Sequence, residues 1–261
     1  MTTSKSDPLL TTIRDLARRR GRERRGLALA EGVRLVEEAL AAGVPVRGAA
    51  VSPALEGTPR GSALKTALAE RAARLVEVTP AELEALADTE QPQGIVAVVA
   101  PRAWTLDDVP TPARGTVLVL DAVQDPGNVG AVLRTALGLG AAGVVALKGT
   151  AELTNPKVLR GSMGAAFRLP AAPADTEAFL AWAGGRGLEL VVADAGGEPL
   201  ARWPRSGAPL ALVLGNEAAG VSPALVAAAR RRVAIPLAAG VESLNVAVAA
   251  GILLYEATRE A

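Results

Sequence analysis

Four runs constrain most strongly what this chain folds into: V-L-V-L (117–120), G-V-V-A-L (143–147), L-E-L-V-V-A (188–193) and L-A-L-V-L-G (210–215). Each is a nearly unbroken apolar stretch rather than an alternation. A strand that meets water on one face carries a polar residue at every second position. An unbroken run is covered on both faces, as in a parallel sheet flanked by helices. Helical patterning lies between and after these runs, at 129–137, from Pro156 to Met163, from Thr176 to Trp182 and from Pro223 to Ala229. A further strand, V-A-I, is expected at 233–235, and a last helix from Ser243 to about Glu260. The reading is an α/β fold with a parallel sheet.

The first hundred residues read as a smaller α/β unit of typical small-domain size. Residues 9–25 are helical in character and end in R-R-R-G-R-E-R-R. A short strand and a helix follow, with Val33, Val36, Ala39 and Leu40 on one face and Gly43 as the stop. A second round runs through G-A-A-V-S and a helix from Ser62 to Ala73 to the strand G-I-V-A-V-V-A (94–100). Pro101, Pro110 and Pro112 mark residues 101–114 as a linker. The domains are therefore 1–100 and 115–261. Arg18, Arg19, Arg20, Arg22, Arg24 and Arg25 read either as a solvated connection or as a patch that meets nucleic-acid phosphates.

The absences exclude whole classes of chemistry. The chain has no cysteine and no histidine. There is no thiolate nucleophile, no Ser-His-Asp triad and no imidazole base, and no metal site is expected. No apolar run approaches a membrane span, and M-T-T-S-K-S-D-P has no apolar signal core. A soluble, cytoplasmic protein is the expectation.

The segment after the first of the four runs reads D-P-G-N-V-G-A-V-L-R-T-A (125–136). Asn128 is expected to cap the helix, with Val129, Val132, Leu133, Ala136 and Leu137 as its buried stripe. Arg134 lies off that stripe. Gly127 and Gly130 precede it by seven and four residues, which suggests a bare, cationic face for a phosphate. Gly138, Gly140 and Gly143 formally match a dinucleotide fingerprint. A helix precedes them and a strand follows, the reverse of what that motif needs, so a helix-ending turn is the better reading. In L-V-L-G-N-E-A-A-G-V-S (212–222), Asn216 and Glu217 stand at a strand's C-terminal rim, where open α/β sheets bind ligands. In I-P-L-A-A-G-V-E-S-L-N-V-A-V-A-A-G-I (235–252), Ser243 is placed to cap the last helix and Asn245 falls in its first turn.

These three segments, in this order, resemble the three motifs of SpoU-type RNA 2′-O-ribose methyltransferases of the SPOUT superfamily. N-P-K-V-L-R-G-S-M-G-A-A-F (155–167) is similar to the family's stretch between the first two. L-A-E-G-V-R-L-V-E-E-A-L and T-E-Q-P-Q-G-I-V-A-V-V are similar to its N-terminal substrate-binding domain. The resemblance implies a catalytic domain tied in a deep trefoil knot, an exception to unthreaded connections. It implies a homodimer with sites built from both subunits, and S-adenosylmethionine as cofactor. Carried over by position, Asn128, Arg134, Glu217, Ser243 and Asn245 are the catalytic set, with Arg134 also on the RNA. Leu214, Gly215, Asn216, Ile235, Leu237, Leu244 and Asn245 are the cofactor set. The family commonly has glycine where this chain has Ala218, and alanine would be strained there if the turn needed a positive φ. The N-terminal domain and the arginine run favour ribosomal RNA over transfer RNA. The rival readings are a transfer RNA 2′-O-methyltransferase, a base-nitrogen methylase, a non-catalytic RNA-binding member and a nicotinamide enzyme.

Overall fold

The structure, a computed structural model, describes residues 7–203 and 207–258. The chain divides into two compact units, residues 1–103 with 154–167, and residues 104–153 with 168–261.

The first unit begins with α1 (Pro8–Leu16), capped by the Asp7 carboxylate, which accepts a hydrogen bond from the Leu9 amide at 2.8 Å. The short helix α2 (Arg19–Arg25) follows. Next come β1 (Ala28–Glu31), α3 (Val33–Ala41), β2 (Val46–Val51), α4 (Pro59–Glu70), β3 (Arg74–Glu77), α5 (Pro80–Glu84) and β4 (Ile95–Val99). The sheet order is β1-β4-β2-β3. Strand β4 runs antiparallel to both neighbours, and only β2 and β3 are parallel. Unbroken apolar runs report burial on both faces, not strand direction. Ile95, Ala97 and Val99 of β4 enter one core, while Val96 and Val98 enter the other, the two-residue period of a strand. Helix α1 covers the second core with Leu9, Leu10, Ile13 and Leu16, each burial contributing about 1.5–3 kcal/mol.

The helix Pro156–Ser162 (α7 in chain order) belongs to this first unit, although the sequence reading left it in the second domain. Leu159 and Phe167 explain the difference, because they complete the core built by α3, α4 and the sheet.

The second unit carries β5 (Thr116–Leu120), α6 (Pro126–Gly138), β6 (Gly143–Leu147), β7 (Ala171–Ala174), α8 (Thr176–Gly185), β8 (Glu189–Pro199), β9 (Leu210–Leu214), α9 (Pro223–Ala228), β10 (Arg231–Ala234) and α10 (Val246–Thr258). Its six strands are all parallel, in the order β10-β8-β9-β5-β6-β7. Val117, Val119, Val145, Val192, Ala211 and Val213 face one core, roofed by Phe179, Ala183 and Leu225. Leu118, Leu120, Leu212 and Leu214 fill the other face, where α10 meets both β5 and β9 and packs along α6. Strands β5 and β9 are neighbours in register from Thr116↔Leu210 to Leu120↔Leu214. Their C-terminal ends therefore open side by side, and the first two motif segments leave the sheet at one place. The last helix starts at Val246 rather than Ser243, and its expected end near Glu260 lies outside the described residues. No helix among the described residues is long and apolar enough to cross a membrane.

Candidate active site

Helix α6 is capped by Asp125, not by Asn128: the Asp125 carboxylate accepts the Asn128 backbone N–H at 2.7 Å. An aspartate before Pro126 at the first helical position is the stronger start signal. That cap leaves the Asn128 side chain free for another partner. Its amide nitrogen donates to Glu217 Oε1 at 2.9 Å. Its oxygen accepts from the Asn245 amide nitrogen at 2.8 Å. The Asn245 oxygen in turn accepts the backbone N–H groups of Ala247 at 2.9 Å and Val248 at 3.3 Å, so Asn245 is the cap of α10. The expectation that Ser243 caps this helix is corrected. Ser243 is exposed in the loop before it.

This chain of bonds has one direction. The α10 amides demand an oxygen from Asn245, which turns its NH2 toward Asn128. That group demands an oxygen, which turns the Asn128 NH2 toward the Glu217 carboxylate, an acceptor. Three segments far apart in sequence thus hold one another's side-chain orientation. Asn245 and Glu217 are exposed and Asn128 is half-buried, so the network lies at the surface.

The loop after β9 is built around its own backbone. A Cβ at Gly215 would lie 2.2 Å from the Gly220 carbonyl carbon and 2.3 Å from the Val221 nitrogen. Asn216 and Gly220 pair their backbones at 3.0 and 2.9 Å. The Asn216 side chain holds this turn. Its oxygen accepts the Ala218 and Ala219 amides, and its NH2 donates to the Ala122 carbonyl at 2.9 Å. The left-handed residue of the loop is Gly220, at φ 70°, and Ala218 is not among the positive-φ residues, so alanine at that position brings no such strain.

Sequence reasoning missed Asp121. It is buried at the end of β5, and its carboxylate accepts the Ser222 amide at 2.7 Å, tying β5 to the far side of the β9 loop. An aspartate closing the run T-V-L-V-L-D was the available signal.

Leu214 is buried, Ile235 and Leu244 are half-buried, and Leu237 and Val241 are exposed. Apolar side chains held open in the loop between β10 and α10 are what an adenosyl group would cover. The Ser222 hydroxyl, buried without a hydrogen-bond partner, adds an unfilled polar group to the neighbouring loop. These residues fit S-adenosylmethionine.

Arg134 is exposed and lies six residues past Asn128 on α6, about 9 Å along the helix axis. It makes no side-chain bond to the Asn128 network. Gly127 is exposed but Gly130 is buried, so the face beneath Arg134 is not the bare surface that the glycine spacing suggests. Leu137, expected in the buried stripe, is 37% exposed. With Val248, Ile252 and Tyr255 of α10 it leaves apolar side chains uncovered on this helix pair.

Most of the arginine run is engaged inside its own unit. Arg22 is buried and donates to the Leu16 and Ala17 carbonyls at 2.9 and 3.1 Å, finishing α1. Arg24 and Arg25 bind the Asp15 carboxylate at 2.7 and 2.6 Å, and Arg19 pairs with Glu23. The hydrogen bond from Arg25, reinforced by Arg24, holds the Asp15 carboxyl below its ordinary value. Arg18 and Arg20 are exposed, with no ion pair among the described residues. Among those residues no group of three or more Asp, Glu, Cys or His could hold a metal.

The family model described as SpoU rRNA Methylase family matches residues 115–255, which include all three site segments. The chain belongs to that family. A second model, the MRM3-like substrate binding domain, matches residues 7–97. The 23S rRNA guanosine 2′-O-methyltransferase RlmP of Bacillus subtilis is 35% identical over 87% of this chain and 86% of its own length. The AdoMet-bound rRNA methyltransferase from Sinorhizobium meliloti aligns with a TM-score of 0.87 and 29% identity, over 98% of this chain and 96% of that one. The SpoU methyltransferase AviRb from Streptomyces viridochromogenes, in complex with AdoMet, aligns with a TM-score of 0.84 and 31% identity over 97% of each chain. As a SpoU family member, the protein is an S-adenosylmethionine-dependent RNA methyltransferase.

Proposed function

We propose that the protein is a cytoplasmic, homodimeric enzyme that methylates a ribose 2′-hydroxyl of 23S ribosomal RNA, with a knotted catalytic domain. The observation that carries this reading is the directed chain from the α10 amides through Asn245 and Asn128 to Glu217. It joins three segments at the C-terminal rim of a parallel sheet, where such sheets bind ligands. The 2′-O-methyltransferase RlmP, similar over most of both chains, supports the position and the RNA.

The cofactor supplies an electrophilic methyl group on a sulfonium, which leaves as a neutral thioether. The chain's own residues have the task of position. Ile235, Leu237 and Leu244 would cover the adenosyl group and exclude water around it. The Asn128 amide, locked by Asn245 and Glu217, presents a fixed polar edge to the attacking ribose, and fixed geometry alone is worth several kcal/mol of barrier. Arg134 binds the RNA phosphate and orients the hydroxyl. A guanidinium does not accept a proton in proteins, so it is not the base, and the hydroxyl proton passes to water at this exposed site. Because Arg134 stands apart from the Asn128 network within one subunit, we assign it to the site of the partner subunit. The uncovered side chains of Leu137, Val248, Ile252 and Tyr255 are the surface on which that dimer closes.

The test is incubation of the full chain with methyl-labelled cofactor and separated ribosomal and transfer RNAs, followed by mapping of alkali-resistant 2′-O-methyl sites. Label in 23S ribosomal RNA at an alkali-resistant step is expected. Label on a base, or on transfer RNA alone, overturns the reading.

A further inference from the structure

The first unit holds a cavity of about 270 Å³, lined by Glu31, Gly32, Arg34, Leu35, Thr89, Gln91, Gln93, Arg160 and Met163. None of these residues belongs to the site proposed above. Its size is at the lower end for ligand pockets and suits a single flat ring system rather than an extended molecule.

The floor sets two carboxylates, Glu31 and Asp88, against one guanidinium, Arg160. Glu31 is 6% exposed at the end of β1. Its carboxylate accepts the Asp88 amide at 2.8 Å, the Thr89 amide at 3.2 Å and the Thr89 hydroxyl. Arg160 reaches Glu31 at 3.4 Å with one nitrogen and Asp88 at 2.6 Å with another. These bonds clamp the loop before β4 against β1 and fix the walls. Arg34, at the rim, is exposed and without an ion pair among the described residues. It sits in the first turn of α3, whose N-cap is Gly32 at φ 92° and whose first amide, that of Val33, is taken by the Gln93 side chain. The pocket therefore has one excess negative charge in its floor and, at its rim, the cation Arg34 at a helix start, where a phosphate is favoured.

The rim carries the groups that read a base edge. Gln93 gives its oxygen to the Val33 amide at 3.1 Å, which leaves its NH2 as a donor. Gln91 is exposed with both ends of its amide unbonded among the described residues. Met163 and Leu35 supply apolar contact for ring faces. Met163, at φ 51°, is the left-handed cap that ends the helix Pro156–Ser162.

We infer that this cavity takes one unpaired nucleobase of the RNA substrate, read by Gln91 and Gln93, with its phosphate on Arg34 and the α3 amides. Unpaired, splayed-out bases are the parts of RNA that proteins read by sequence. The inference rests on RNA being the substrate, not on which atom is methylated.

The test uses the full chain and 23S ribosomal RNA transcripts carrying 4-thiouridine, with a 4-thiouridine transfer RNA pool as a second arm. Photo-crosslinks are expected in peptides containing residues 31–35, 89–93 or 160–163. Arg34→Ala and Gln91→Ala, both at exposed positions, are expected to raise the KM for RNA about tenfold each, the size of one or two lost hydrogen bonds. The KM for the cofactor should not move. Crosslinks confined to other peptides, together with an unchanged KM for RNA, overturn the inference. Methyl transfer by the unaltered enzyme is read separately. Crosslinks in the cavity without transfer sink the proposed reaction and leave the cavity standing, whereas transfer without such crosslinks does the reverse.

Discussion

Asn128 donates its side-chain amide to Glu217 at 2.9 Å across 89 residues of sequence, and its orientation is set by Asn245 on the other side. Substituting Asn128 by Asp keeps the size and removes the donor. It faces one carboxylate with another, a repulsive pair. Methyl transfer is expected to fall about a hundredfold or more, the scale of losing a preorganised polar group. Asn128→Ala should cost a similar factor. Steady-state kinetics with calorimetric measurement of cofactor binding checks this, and an N128D enzyme with near-normal kcat would remove Asn128 from the mechanism.

Arg134→Ala is expected to abolish methyl transfer while leaving cofactor affinity nearly unchanged, because Arg134 is assigned to the RNA phosphate. Isothermal calorimetry with S-adenosylmethionine separates the two effects. Equal loss of cofactor binding and activity would show that the arginine supports the cofactor instead.

The legible parts of this molecule were those written in local pattern. The runs at 117–120 and 210–215 announced strands covered on both faces, and these are the central pair of the parallel sheet. Strand direction in the first unit was not legible, since β4 is apolar for the same reason and runs antiparallel. The polar site was half legible. Asn128, Glu217 and Asn245 were singled out, but their mutual bonds depend on which residue caps each helix. Asp125 and Asn245 took the caps that Asn128 and Ser243 were expected to hold. The partners of Arg22, Arg24 and Arg25 were not legible, since Asp15 and the Leu16 and Ala17 carbonyls that bind them carry no distinctive signal in sequence.

Gly215→Ala should destabilise the protein by about 1–3 kcal/mol, because the new methyl overlaps the backbone of Gly220 and Val221 and the loop must open. Gly184, in α8 with nothing within 4 Å of its would-be Cβ, serves as the opposite case. There alanine is expected to stabilise by roughly 0.5–1 kcal/mol. Thermal melts of both variants give the two signs, and a neutral G215A would show that the loop is not closed in the way described.

Asp15 gives a pH prediction. Its folded-state pKa lies below the ordinary carboxylate value because Arg25 and then Arg24 bind the ionised form. A depressed pKa means that the contribution is present above the unfolded value and is lost as pH falls through the folded one. Asp15→Asn should therefore narrow the stability gap between neutral and strongly acidic solution. The comparison is of denaturation midpoints at pH 7 and at pH values below the ordinary carboxylate range. Parallel midpoint curves for variant and parent would show that the contact to Arg25 and Arg24 contributes nothing measurable.

If each site takes Asn128 from one subunit and Arg134 from the other, two inactive proteins should rescue each other. In a heterodimer of Asn128→Ala with Arg134→Ala, one site receives both defects and the other receives neither. Random exchange of subunits puts about half of the chains in heterodimers, so about a quarter of sites should recover. Co-refolding or slow exchange of the two variants, followed by a methyl-transfer assay, reads this directly. If both residues acted within one subunit, every site in the mixture would keep one defect and no activity would return. Ile252→Glu, on the exposed α10 face, is the companion variant. A buried carboxylate at the dimer surface should leave monomers by light scattering and cancel the rescue, because exchange then has no assembly in which to occur.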